Sequence, residues 1–455
     1  MNKLLLHGEL KKPGSVGILL ALGIGVGLTV VLGLWSIITA LCVMALLVAY
    51  PKSGYQLLLV LSPVFGLTAG LSGAKVRALL GFTITPWDAA FMAVSAGCVL
   101  SEIARHGHRI YGSGVHPLEL LVSVFLGQGA LLGLFRNGSR VVDAGRGYFC
   151  YIAAPLWRGL LRCIGPERFV KTLVWFELAF FPLQVILSVS EAFRVGARAF
   201  GLAKPDLYVS PGIHLLILPL AVGLARKPHR LRGVAVISAV LAFLGVLLSL
   251  GRSFLVGLLV EMPLLYISAQ WYSRPNRTGR KLATVTLSSV LLLVAVCLSY
   301  ISGKQGFQRA LSGTDPSTQY RLVEMQTIPR YILRKPLLGY GLGASLPTEL
   351  SRFFPTSSHP WWVHNEPMAV AYSLGLPGAV IFYYWLIRES TRAQRLMRQC
   401  GGRLDIYTNA IATMIGCGVP GVLAAGITGG QVTGYGLAPA IVAGFALVGM
   451  EQMPQ

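Results

Sequence analysis

His364 and Asn365 close a long polar stretch, roughly residues 302–366, in the run Trp361-Trp362-Val363-His364-Asn365-Glu366. An imidazole beside a carboxamide can act as a general base toward a hydroxyl, or as a pair that orients one. The same stretch carries Lys304, Arg309, Arg321, Arg330, Arg334, Lys335 and Arg352 against Asp315, Glu324, Glu349 and Glu366. Two further segments add Arg194, Arg198, Lys204 and Arg252. Guanidinium groups gathered at one face imply an anionic partner, and phosphate suits their forked donors best. They would also disfavour a second positive charge on the His364 ring, leaving it able to accept a hydrogen bond.

Each of these residues has a plainer explanation. A lone histidine at a membrane boundary serves equally well as a hydrogen-bonded structural residue. Arg252 lies in Ser249-Leu250-Gly251-Arg252-Ser253 between two apolar runs, where an arginine snorkels to headgroups. Glu261 falls on the opposite side of a straight helix from Arg252 and is a poor partner for it. Arg321 has Glu324 at i+3, a spacing that favours a local ion pair. Glu102, Glu119, Glu177 and Glu261 sit in or near apolar runs and could mark an ion or proton pathway.

The elements that must position these groups are read from composition. Of 455 residues, 54% are hydrophobic and 12% charged, where soluble domains carry about 25% charged residues. So few charges cannot cover a water-facing surface. Runs such as 17–35, 283–301 and 368–387 approach the ~20 apolar residues that cross a bilayer. Spans are predicted near 15–34, 35–50, 54–73, 86–104, 117–135, 148–164, 170–190, 210–225, 233–250, 253–271, 282–301, 367–387, 404–426 and 432–449. The weakest, 148–164, holds Arg158 and Arg162 and could be an interfacial amphipathic helix. The first apolar run is kept as a span, since no small-residue cleavage site clearly follows it. The expectation is an all-α polytopic membrane protein with about 12–14 transmembrane helices and one long external loop carrying short helices. It divides into a transmembrane region 1–301, a loop 302–366 with the chemical motifs, and C-terminal transmembrane helices 367–455.

Charge orients this arrangement. Lys and Arg number 39 against 17 Asp and Glu, a formal net charge of +22. Much of the excess lies in short loops, 226–232, 274–281 and 388–403, as cytoplasmic loops require. That placement puts both termini in the cytoplasm and 302–366 outside. No basic soluble module with interleaved aromatics exists, which excludes nucleic acid as the partner. Of seven cysteines, Cys42, Cys98, Cys297 and Cys417 sit in apolar runs as small hydrophobes. The absence of a C-x-x-C pair argues against zinc and a disulfide framework.

Within the external stretch, Asp315-Pro316 reads as an N-cap followed by proline at the first helical position. Leu322, Met325, Ile328 and Ile332 then recur at helical spacing, predicting a short helix on the membrane with Arg321 near its start. Gly339-Tyr340-Gly341-Leu342-Gly343 would end it in a flexible turn. No strand–turn–helix context surrounds these glycines, so they are not a dinucleotide fingerprint. Trp361 and Trp362 mark re-entry at the interface.

At these residues the chain resembles the bacterial O-antigen ligase and O-antigen polymerase family. The matches are Gly251-Arg252-Ser253, Arg321 with Lys335-Pro336-Leu337-Leu338-Gly339-Tyr340-Gly341-Leu342-Gly343, and His364-Asn365 with Gly375-Leu376-Pro377-Gly378. Segment 194–219, with Arg198, Gly201, Pro205 and Pro219, looks like the external region upstream. The family's frequent glutamate two residues before the first glycine of G-x-x-G is Ser373 here, so no role of that glutamate carries over. The resemblance implies an integral membrane glycosyltransferase of the bacterial inner membrane. Its donor would be undecaprenyl-pyrophosphate-linked glycan and its active site periplasmic. The acceptor would be lipid A-core for a ligase of lipopolysaccharide. For a polymerase of O-antigen or exopolysaccharide it would be a second lipid-linked glycan.

The leaving pyrophosphate can be neutralised by a divalent metal or by arginines. The external segments offer no D-x-D and few acids, which predicts a metal-independent transfer without a cofactor. Arg321, Arg252 and Arg198 would hold the pyrophosphate. His364, supported by Asn365, would orient or deprotonate the acceptor hydroxyl. A non-enzymatic transporter or flippase of lipid-linked sugars is the reading from another class. It would want charged groups along a cavity and internal duplication, neither of which is clear in the sequence.

Overall fold

The computed structural model of the protein describes residues 45–63, 76–77, 83–106, 116–195, 212–248, 252–272, 316–351, 363–429 and 436–449. The spans expected at 15–34 and 282–301, Arg198, Trp361, Trp362 and the side chain of Arg252 lie outside the described residues.

In chain order the elements are α1 (Pro51–Leu61), β1 (Val76–Arg77), β2 (Thr83–Ile84), α2 (Pro86–His106), α3 (Pro117–Asn137) and α4 (Arg140–Val195). Then follow α5 (Gly212–Ala225), α6 (Arg232–Leu248), α7 (Arg252–Tyr272), α8 (Pro316–Arg334) and α9 (Thr348–Ser351). The last are α10 (Glu366–Cys400), α11 (Ile406–Thr413), α12 (Val419–Gly429) and α13 (Ala438–Val448). Prolines open α1, α2, α3 and α8, where the absent N–H has no helical partner to lose. The strands are two residues each and pair antiparallel, Val76 opposite Ile84.

The chain is an all-α polytopic membrane protein. Among the described residues five helices are long and apolar enough to cross a bilayer: Pro117–Asn137, Arg140–Ile186, Ser253–Trp271, Glu366–Cys400 and Ile406–Ile427. Four shorter apolar helices accompany them: Trp87–Ser101, Gly212–Ala225, Arg232–Leu247 and Ala438–Val448. Gly165, at φ +77° and followed by Pro166, breaks α4 into two legs.

The first leg of α4 agrees with the span predicted at 148–164 rather than with its interfacial alternative. Tyr151 and Trp157 are fully buried. Tyr151 meets Phe382 and Trp385 edge-on at 5.2 and 5.8 Å, and Trp157 meets Tyr55 at 5.3 Å. Arg158 pairs with the buried Glu119 of α3 rather than with headgroups. Glu177 likewise engages His214 Nδ1 at 3.0 Å, with Gln184 at 3.1 Å from Nε2. Two of the carboxyl groups set aside as pathway candidates are thus engaged by side chains of neighbouring helices. Replacing Arg158 with alanine would leave Glu119 unpaired and is expected to destabilise the fold by about 3–5 kcal/mol. Thermal unfolding in detergent measures this. An unchanged transition would mean that Glu119 has other compensation.

Two of the basic segments, 226–232 and 388–403, lie at one end of the bundle. Lys227 donates to the Leu404 carbonyl at 3.0 Å, Arg388 reaches His116 Nε2 at 2.8 Å, and Tyr407 lies 3.5 Å from Glu167, just past the α4 break. At the other end Asn137 donates to the Leu342 carbonyl (2.9 Å), Arg140 to Ser345 (2.6 Å) and Tyr372 to the Ser345 carbonyl (2.8 Å). His364 and Asn365 belong to this second end, at the start of α10, and the basic stretch from Arg388, read from sequence as a loop, continues α10 to Cys400 at its far end.

Candidate functional site

Two devices fix α8 against α10. The first is a backbone splice. Helix α10 is broken at Gly375 (φ +79°, ψ 170°), and Pro377 cannot donate to the Ser373 carbonyl. The loop after α8 repairs this break. Tyr340 N–H donates to the Tyr372 carbonyl (2.9 Å), Gly341 N–H to the Ser373 carbonyl (2.9 Å), and Leu376 N–H donates to the Pro336 carbonyl (2.7 Å). Leu342 N–H donates to the Gly129 carbonyl of α3 (3.0 Å). A discontinuous helix inside a membrane protein needs such replacement partners for its backbone.

The glycines are therefore not a flexible turn, contrary to the expectation from sequence. Gly339, Gly341 and Gly343 have φ of +65°, +85° and +72°. A Cβ on Gly341 would fall 2.6 Å from Gly133 N, and one on Gly339 would fall 2.6 Å from Gly375 N. Both the left-handed backbone and the close approach exclude a side chain. The rings beside the loop pack tightly. Tyr340 stacks on Tyr372 at 4.6 Å and Lys335 Nζ sits 4.5 Å from the centre of the Tyr340 ring.

The second device is Glu324. Its side chain accepts Asn365 N–H on Oε1 (2.8 Å) and His364 N–H on Oε2 (3.1 Å). His364 Nδ1 lies 3.3 Å from the same Oε2. Tyr320, one turn earlier on α8, hydrogen-bonds Glu324, and its ring meets the His364 ring edge-on at 5.0 Å. Burial and the neighbouring Glu324 carboxylate push the Tyr320 phenol above its ordinary range, so it remains a donor. The local Arg321–Glu324 ion pair does not form. Glu324 turns instead to a residue forty positions away.

The apolar face of α8 is also shifted from the one read in sequence. Ile328 and Ile332 are buried, but Leu322 and Met325 are exposed, and the buried row is Tyr320, Glu324, Thr327, Ile328 and Ile332. Two polar side chains in that row hide it from a hydropathy pattern.

Asn365 caps α10. Its Oδ1 accepts Met368 N–H (3.0 Å), and its Nδ2 donates to the Ile427 carbonyl of α12 (2.9 Å). Its carboxamide therefore holds the turn that carries His364. The imidazole of His364 remains 28% exposed. Arg321 Nε is buried and has no hydrogen-bond partner among the described residues. A buried guanidinium nitrogen in that state is poised for an anionic ligand. Arg252 begins α7, which runs antiparallel to α12. Gly257 lies against Gly421 and Ala425, and Glu261 against Gly421. The backbone of Arg252 thus stands at the end of α7 that approaches the level of Ile427, the end that holds His364. Sequence reasoning did not give Glu324 and Tyr320 these roles. The only signal for Glu324 was its place one turn after Arg321.

Removing the Asn365 side chain is expected to cost about 1 kcal/mol from the cap alone. Asn365→Asp keeps the cap acceptor but loses the donor to Ile427, so it should recover part of the stability measured for Asn365→Ala.

Residues 237–383 match the family model described as O-antigen ligase. The matched region contains Arg252, Arg321, the glycine splice and His364, so this part of the chain is similar to that family. No curated protein matches the chain.

Proposed function

We propose that the protein transfers a glycan from an undecaprenyl-pyrophosphate carrier to a sugar hydroxyl at the periplasmic face of the inner membrane, as an O-antigen ligase does. One observation carries this reading. An accessible imidazole and a buried guanidinium nitrogen, Arg321 Nε, without a partner among the described residues belong to residues linked through α8, whose Glu324 touches His364 and stands one turn from Arg321. The position of basic segments 226–232 and 388–403 at the opposite end of the bundle supports the periplasmic assignment.

In the proposed reaction His364 accepts the proton of the acceptor hydroxyl as its oxygen attacks the anomeric carbon. The bond from that carbon to the phosphate oxygen breaks, and the pyrophosphate leaves with the electron pair. Arg321 and Arg252 stabilise the charge that develops on the leaving group, with Arg198 contributing from the preceding segment. Asn365 holds the turn. A polymerase would use the same chemistry with a second carrier-linked glycan as acceptor. Surface glycans of a deletion strain separate the two. Loss of attached chains with retained carrier-linked polymer indicates the ligase. Single repeats still capped onto the core indicate an O-antigen polymerase, and loss of a secreted polymer with normal lipopolysaccharide indicates an exopolysaccharide polymerase.

The arginines give this transfer a route to charge neutralisation without a divalent ion. Activity of the purified protein is therefore expected to survive excess chelator. Abolition by chelation with rescue by magnesium would refute that expectation.

A further inference from the structure

We infer that Glu324 is a positioning residue that selects the tautomer and orientation of the His364 ring. The inference rests on the proposed role of His364 as base. Glu324 is 1% exposed, comes from a different helix and reaches His364 across forty residues of sequence. An ionised carboxylate only accepts hydrogen bonds. The ring nitrogen facing it, Nδ1, must therefore carry the proton, which leaves the lone pair of a neutral imidazole on Nε2. That is the nitrogen directed away from the carboxylate, on a ring that is partly open to solvent.

A purely structural tie would need less. The backbone bonds to His364 and Asn365 already occupy both oxygens and hold the turn. The third contact, to Nδ1, acts on the ring itself, and the edge of Tyr320 at 5.0 Å limits its rotation. The same helix carries Arg321 one turn before Glu324. Because the glycine splice fixes the far end of α8, Glu324 also sets the base and the phosphate-gripping arginine in one frame. A carboxylate that orients a catalytic histidine in this way contributes about 10⁴-fold to kcat in serine proteases.

The test compares wild type, Glu324→Gln, Glu324→Asp and His364→Ala as purified full-length protein with carrier-linked glycan and acceptor. Glu324→Gln keeps the size but turns one acceptor into a donor facing an N–H. It is expected to lower kcat by about 10²–10⁴-fold with donor KM changed by no more than about threefold. Glu324→Asp, which keeps both acceptors one methylene short, should recover at least about tenfold of that loss. Nitrogen-15 NMR of histidine-labelled protein, assigned by difference with His364→Ala, should show the Nδ1-protonated tautomer in wild type. A kcat of Glu324→Gln close to wild type would overturn the inference, and so would an Nε2-protonated ring in wild type. If Glu324→Gln fails to fold, the wild-type spectrum and Glu324→Asp still decide. Full activity in His364→Ala would instead defeat the proposed function and leave the tautomer result standing.

Discussion

Replacing His364 with alanine is expected to lower transfer by about 10²–10⁴-fold, the usual contribution of a positioned general base. Donor binding should change little, because in the proposed reaction it is the arginines that grip the pyrophosphate. The turn should also survive. Its backbone N–H groups bond Glu324 and its cap is Asn365, neither of which uses the imidazole. The substitution removes a ring that packs on Tyr320, so its structural cost falls at one edge of α8. The expected pattern is a fall in kcat with donor affinity retained, measured with purified protein. A comparable loss of donor binding would assign His364 to the binding surface. Retained transfer would show that His364 is not the base.

A second large effect is expected at Gly375. Its φ of +79° with ψ of 170° lies in a region open essentially to glycine alone. A Cβ there would stand 2.4 Å from the Leu337 carbonyl oxygen and 2.8 Å from that of Pro336. Both neighbours are backbone atoms of the splice and cannot rotate aside. Backbone strain and overpacking together should cost about 2–6 kcal/mol, a large fraction of the ~5–15 kcal/mol that holds a protein folded. Gly375→Ala should therefore yield little folded protein, or protein whose α8 has come away and which transfers nothing. Gly127→Ala provides the contrast. It lies in α3, where an added Cβ meets nothing within 4 Å, and should be neutral or stabilising by about 0.5–1 kcal/mol. Equal behaviour of the two variants would show that the splice does not constrain α10.

Much of the helical frame was legible because hydropathy reports burial in lipid directly. The predicted spans near 117–135, 210–225, 233–250, 253–271 and 367–387 correspond to α3, α5, α6, α7 and α10. The span at 148–164 was the weakest in the sequence because Arg158 looks like a headgroup ligand until Glu119 is brought beside it from another helix. Within the site, residue types and order drew attention to Arg321, the glycines and His364. They could not reveal that Glu324 turns away from its neighbour Arg321, since i+3 spacing states only what is close along one helix. The true partner is set by how α8 lies on α10, and that depends on the exchange of backbone bonds at Gly375. Glycines in a loop suggest flexibility when read locally. Here their lack of a side chain is what lets two helices and a loop share one set of hydrogen bonds.

The most direct measurement is the structure of the His364→Ala protein in lipid with carrier-linked glycan bound. The diphosphate should lie against Arg321, at the end of the bundle that carries the start of α10, with the anomeric carbon toward position 364. A diphosphate bound instead among the basic segments 226–232 and 388–403, at the opposite end of the bundle, would contradict the proposed site.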